Sequence, residues 1–323
     1  MPVDERTRGQ ALRTATCAAG AAPSIFNTQP WRWQIGRDLR LWADRDRQLM
    51  VADPDGRLLT ISCGVALHHA RIALAASGCE VVVRRLPDPA DPDLLATIEL
   101  TGAHEPTSRE RLLCAAIAGR RTDRRAFGPE PVAENVAYSL VEAAEAESAH
   151  LHLVRRDEVA QLAMVAAQAG ALQLADPEYR KELIRWTHRP AWSGDGVPTT
   201  SAVQPAPRAV PVRDFAPFGG PAMEPGPQND HSALYAVIFT DQDTPADWLR
   251  SGEALSAALL TATAEGLGTA PMSDVTELTV TRERLRLLLA GVGVPQLAVR
   301  VGHAPAGEPP DVPRRPLQEV VYQ

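Results

Sequence analysis

Two eighteen-residue stretches of this chain can be laid over one another without a gap. ISCGVALHHARIALAASG, starting at Ile61, falls on LRSGEALSAALLTATAEG, starting at Leu249. Gly64 then matches Gly252, Ala66 matches Ala254, Leu67 matches Leu255 and Ala70 matches Ala258, with Ala76 on Ala264 and Gly78 on Gly266. Two alanine-rich helices would produce some of these identities by composition alone. The sharper reading is a duplicated unit, in which one polypeptide imitates a dimer. It constrains the fold more than any other feature, because both halves must then repeat one architecture.

The surrounding pattern suits that reading. Residues 5–21 have helical periodicity. WRWQIGRDLRLWAD alternates apolar and polar residues on both sides of Gly36-Arg37-Asp38, as a hairpin does. A long helix over 62–78 closes at Gly78, and strands EVVVRRL and LLATIEL precede a helix over 107–119. A second series follows: a helix near 131–146, strand LHLV, a helix over 157–175, strand ALYAVIF, helices over 248–266 and 276–290, and strand QLAVRV. No GxGxxG follows a strand and no regular βαβ cadence is present, which disfavours a dinucleotide-binding doubly wound sheet. The expected class is α+β, with mixed or antiparallel sheets flanked by helices. The expected division is 1–118 and 119–323.

The second half is interrupted at about 186–230, a segment that holds nine of the 28 prolines. A loop this long inside a compact domain is either disordered or functional. Trp186, Trp192, Val197, Phe215, Phe218 and Met223 give it apolar points with which to pack, so an ordered lid over a ligand is expected.

Composition narrows the function classes. With 323 residues, 45% of them hydrophobic, the chain can bury a substantial core, and its net charge of −7 argues against wholesale nucleic-acid or anionic-membrane binding. No run of about 20 apolar residues and no signal-like segment stands out, so a cytoplasmic protein is expected. Cys17, Cys63, Cys79 and Cys114 form no ligand pair and are expected to be reduced and buried. His68 and His69 point about 100° apart on a helix and cannot chelate together. HExxH, GxSxG and Walker A patterns are absent, and no metal site is expected.

Four stretches remain. In APSIFNTQPW (22–31), Pro23 ends a helix and Pro30 fixes the entry to a strand, while Asn27, Thr28 and Gln29 stand together between them. Such grouped donors and acceptors suit a flat heteroaromatic edge or a polyol, or else the local backbone. GRRTDRRAFGPEPV (119–132) could bind phosphate or form a solvated surface run. EGLGTAPMSD (265–274) reads as a Gly- and Pro-shaped turn that lets backbone approach a ligand. In PPDVPRRPLQEVV, prolines limit where Arg314 and Arg315 can reach.

Taken together these stretches resemble the FMN-dependent nitroreductase superfamily. APSIFNTQPW is similar to its PSxxNxQPW loop, RRTDRRAF to its RRSxRxF phosphate segment, GLGTAPM to its GLGTxP turn and RRPLQEVV to its C-terminal arginine motif. The order, with the amide loop in the first half and the arginines in the second, resembles the duplicated Acg-like branch, whose single chains imitate the family homodimer. The resemblance implies one FMN site between two nitroreductase-like halves and no reciprocal site. It implies that Ser24, Asn27, Thr28, Gln29, Pro30 and Trp31 contact the cofactor, that Arg121, Arg125 and Arg315 clamp its phosphate, and that the backbone near Met272 and Ser273 approaches flavin N5. Asp123 replaces a hydroxyl of the family pattern and is expected to turn away and pair with an arginine. The implied function is NAD(P)H-dependent reduction of nitroaromatic or quinone-like acceptors. A lidded FMN-storage protein and a flavin-dependent tailoring oxidase or dehydrogenase are the alternatives. The partners implied are NAD(P)H and a small planar substrate, in a pseudo-dimeric monomer whose further dimerisation stays open.

Overall fold

The computed structural model describes residues 5–217, 219, 222–226 and 228–322. Phe218, expected to help pack the insert, lies outside them.

In the first half, α1 (Glu5–Gly20) precedes the hairpin strands β1 (Trp31–Ile35) and β2 (Leu39–Ala43). Trp31, Trp33, Leu39 and Leu41 all point into the core without exposure, as the two-residue period of a strand requires. The long helix α2 (Arg57–Ala76) leads to β3 (Cys79–Arg85), β4 (Leu94–Ala103) and α3 (Ser108–Gly119). A capping box of Thr107 and Glu110 starts α3. Strand order is β3-β4-β2-β1, antiparallel throughout.

The second half contains α4 (Glu134–Glu145), β5 (His150–Leu153), α5 (Val159–Ala175) and α6 (Pro177–Thr187). After the insert come β6 (Leu234–Thr240), α7 (Pro245–Ala264), β7 (Gly268–Met272), α8 (Asp274–Glu277), α9 (Thr279–Arg286) and β8 (Val294–Gly302). This sheet runs β5-β6-β8-β7, again antiparallel. The chain then crosses back: α10 (Leu317–Val320) is followed by β9 (Val321–Tyr322), which adds to β1 in parallel and extends the first sheet to five strands.

Three expectations change. The helix over 276–290 is broken, because Leu278 is extended between α8 and α9 and a 3-10 turn at 287–289 ends at Ala290 with φ 52°. The β-branched run Thr279-Val280-Thr281 that opens α9 favours helix weakly. GLGTAPM is largely strand rather than turn; only Gly266, at φ 74°, bends the chain, and Pro271 is tolerated because β7 is an edge strand. Of the cysteines, Cys63 and Cys79 are buried, but Cys17 is exposed and Cys114 half-buried.

The repeated stretches form the centre of the molecule. α2 and α7 span 57–76 and 245–264, the same length at the same offset as the sequence match. They cross at their shared glycines. A Cβ on Gly64 would collide with the Leu249 carbonyl, and one on Gly252 with the Ile61 carbonyl. These contacts are reciprocal, since Leu249 occupies in the second stretch the place of Ile61 in the first, as in an isologous dimer interface. His68 Nδ1 lies 2.8 Å from Ser256 Oγ, its partner position in the alignment. By length and composition α2 could cross a membrane, but most of its residues are buried inside the protein.

Candidate functional site

Among the described residues, the loop that leaves α1 gathers the most non-glycine residues with positive φ. Phe26, Asn27 and Gln29 all have positive φ, at 45°, 52° and 49°. Non-glycine residues adopt this region rarely, and surrounding contacts must hold them there. Ser24 Oγ accepts the Gln29 N–H at 2.9 Å, and Ser62 Oγ accepts the Ile25 N–H at 3.1 Å.

The amide side chains supply the rest. Asn27 Nδ2 donates to the carbonyls of Gly196 (2.9 Å) and Pro313 (3.0 Å), and its Oδ1 accepts from Arg314 at 2.9 Å. Gln29 Nε2 donates to the Gly194 carbonyl at 2.8 Å, and its Oε1 accepts the Arg315 N–H at 2.9 Å. Both amides are thus engaged by protein groups; Asn27 also borders the basic lobe of the cleft described next, whereas Gln29 does not. They stitch the insert and the C-terminal segment to the loop through backbone carbonyls and one backbone N–H. Thr28 and Trp31 are fully buried, and Pro30, also buried, offers its carbonyl to Asp44 N–H and the Cys63 thiol. None of the three borders the cleft described next.

Ser24, Phe26 and Asn27 do border it. The cleft lies between the halves and has three lobes of about 580, 810 and 430 Å³, all touched by Thr122 and Arg124. The first lobe is an apolar slot walled by Phe26, Leu58, Ile61, Val65, Leu255 and Pro271. The second is basic, with Arg120, Arg121, Arg124 and Arg314. Met272 and Ser273 reach the third lobe.

Residues 120–125 run extended after α3, with Thr122 bridging Thr269 of β7. Extended backbone turns alternate side chains to opposite sides. Arg120, Thr122 and Arg124 enter the cleft, whereas Arg125 is directed to Asp123, which takes it in two contacts of 3.0 and 2.7 Å. Asp123 thus pairs with an arginine as expected, and Arg125, expected at a phosphate, is corrected to that pairing. Arg121 sits on the rim, bonded to Asp311 at 3.0 Å. Arg315 is corrected too: it grips the Gln29 carbonyl at 3.1 Å and the Glu319 carbonyl at 3.1 Å, and its neighbour Arg314 faces the lobe instead.

The basic lobe is short of negative charge. Arg120 is 3% exposed and its Nε and Nη1 have no partner. Burial, followed by repulsion from Arg314 and Arg121, brings its pKa down to about 9. Arg314 falls to about 10 through burial and Arg121, and Arg124 to about 10 through burial and Arg213. Grouped cations with unused donors fit an anion such as a phosphate monoester.

The insert forms one wall. Phe215 meets Phe26 edge-on at 5.8 Å, and Arg213 lies 4.8 Å over Phe26 and is paired with Glu277. Burial alone would depress Arg213, but Glu277 beside it holds the guanidinium above its ordinary range. Trp186 is clasped between Arg47 and Arg189, whereas Trp192, expected to pack, is 86% exposed. No group of His, Cys, Asp and Glu among the described residues has the arrangement of a metal site.

No protein-family profile matches the chain. Full-length relatives do. The chain belongs to the nitroreductase family, in its Acg-like branch. It is 41% identical over 321 residues to the Mycobacterium tuberculosis protein described as "Putative NAD(P)H nitroreductase Rv3131", covering 97% of this chain and 91% of that one. It is 37% identical over 317 residues to the same organism's "Putative NAD(P)H nitroreductase acg", covering 96% and 95%. Among solved structures it overlays on FMN-dependent nitroreductase NfnB from Mycobacterium smegmatis, crystallised with NADPH, at 19% identity and a TM-score of 0.41, over 67% of this chain and 99% of that one.

Proposed function

We propose that this chain is an FMN-dependent oxidoreductase of the nitroreductase type, passing electrons from NAD(P)H to a nitroaromatic or quinone-like acceptor. The observation that carries the proposal is the basic lobe: a buried Arg120 with two unpartnered guanidinium nitrogens beside Arg121, Arg124 and Arg314, adjoining a largely apolar slot. The names borne by the Mycobacterium relatives support it.

Arg120, Arg124 and Arg314 would hold the phosphate, with Arg121 at the rim. The slot between α2 and β7 would hold the ring, with the residues of β7 up to Met272 and Ser273 along its edge. When bound, FMN supplies the hydride and electron transfer. The chain contributes binding, exclusion of water by Phe26 and Phe215, and a positive field that favours added negative charge. Arg124, which borders all three lobes, supplies the centre of that field. We read residues 1–118 and 119–323 as duplicated halves, supported by the matched helix boundaries and the reciprocal glycine contacts, and the insert as a lid.

A second reading, storage of FMN without turnover, is favoured by one contact: Phe215 and Arg213 stand against Phe26, where an incoming nicotinamide would need room. Anaerobic titration of FMN-loaded protein separates the two. Bleaching of the flavin band by NADH or NADPH supports the reductase. Bleaching by dithionite alone supports storage, and failure to take up FMN at all overturns both.

A further inference from the structure

We propose that Arg300 and Asp230 are positioning residues that aim Arg124 into the cleft, so that the end of the insert serves as a splint as well as a wall; this rests on the cofactor reading above. Arg300, on β8, is fully buried. Its Nη2 donates to the carbonyl of Asp123 at 2.8 Å and to that of Arg125 at 3.0 Å, the residues on either side of Arg124. Its Nη1 donates to Asp230 Oδ2 at 2.5 Å. The other oxygen of Asp230 accepts the Phe127 N–H at 2.6 Å, and Arg208 adds a contact at 3.2 Å. The Phe127 ring lies under the Arg300 guanidinium at 4.2 Å. Beside them the Ala126 N–H donates to the Pro225 carbonyl at 2.8 Å, a further tie from the insert.

Residues 123–127 need these ties. They belong to no helix and no named strand, and their register on β7 rests on the single bridge at Thr122 and the Asp123 N–H to Thr269 carbonyl bond of 2.9 Å. An arginine on a loose backbone would lose ordering entropy each time it met a ligand, whereas one on a clamped backbone is already aimed. The composition of the clamp fits that purpose better than stability alone. Asp230 lies between two arginines, all three buried, and buried charged groups of this kind are often replaceable by apolar ones without loss of stability. Asp230 also has φ 64°, a backbone conformation held only by its surroundings.

The test is a double-mutant cycle read by FMN binding to apo-protein through quenching of flavin fluorescence, with melting of each apo-protein as a check on folding. The variants are Arg124→Gln, Asp230→Asn, Arg300→Lys and the Arg124→Gln/Asp230→Asn pair. Asp230→Asn is isosteric, so the test does not depend on the Arg300 variant folding. We expect Asp230→Asn to weaken FMN binding by about tenfold or more in the native background and to have little further effect once Arg124 is Gln. Additive losses, or wild-type affinity in Asp230→Asn, would overturn the strut while leaving the cofactor reading intact. A wild-type chain that takes up no FMN would overturn both.

Discussion

Arg120 holds a charge that the folded chain does little to compensate. Its guanidinium is buried, two of its nitrogens lack partners and its nearest charged neighbours are cations. Such a residue destabilises the empty protein and becomes favourable when an anion arrives. Arg120→Met should therefore raise the melting temperature of apo-protein by a few degrees, from about 1 kcal/mol or more of relieved desolvation, while FMN retention on purification falls. A lower apo melting temperature would show that Arg120 is paired in a way its surroundings do not reveal. Arg125→Gln, by contrast, should keep its flavin, because Arg125 is taken up by Asp123. The arginine-rich stretch was visible in the sequence, but of the two members assigned, Arg121 lines the basic lobe and Arg125 pairs with Asp123. The signal available was period two: once Thr122 is placed on an extended segment, Arg120 and Arg124 share its side. For Asn27 and Gln29 no such signal existed, since their partners lie far along the chain.

At the scale of elements, the start of α2 is where pH should act. Asp53 accepts the N–H groups of Leu58 and Leu59 at 3.0 and 2.8 Å. Burial outweighs these bonds and raises its pKa from 3.8 to about 6. A carboxyl whose folded pKa lies above its unfolded value binds more protons when folded, so its contribution is fully present below the unfolded pKa. That contribution declines as pH rises from about 4 to about 6, by at most about 3 kcal/mol. Urea unfolding from pH 4 to 7 should show this decline in the wild type and its loss in Asp53→Asn; parallel curves would exclude the assignment. The elements themselves were largely legible, because helix starts and strand alternation are local. β7 was read as a turn because Gly266, Gly268 and Pro271 punctuate it and its approach, and only the sheet shows that an edge strand can hold Pro271.

For the whole molecule, the crossing of α2 and α7 sets the count of sites. The two stretches are alike, but the loop at 24–29 belongs to the first half and the arginines of 120–124 to the second. One flavin per chain is therefore expected from absorbance against protein concentration, and two would contradict the arrangement. Gly64→Ala should destabilise the protein by about 2 kcal/mol or more, because the new methyl meets a backbone carbonyl that cannot rotate aside. Chemical denaturation measures it, and a neutral effect would mean that the helices can move apart freely. The pairing of α2 with α7 was legible because glycine and alanine recur at one offset; the return of β9 to the first sheet was not, since two residues carry no pattern.

That return has a consequence for synthesis. The bond from Arg314 to Asn27 spans 287 residues, and contacts so distant in sequence form late. While a ribosome is still translating the intervening residues, the strained loop at 24–29 lacks its C-terminal tether, and before residue 196 it lacks the insert as well. The pigment-binding pocket would then be among the last features to mature, and a newly made chain would pass through a colourless, open-looped stage exposed to proteases before it could be loaded.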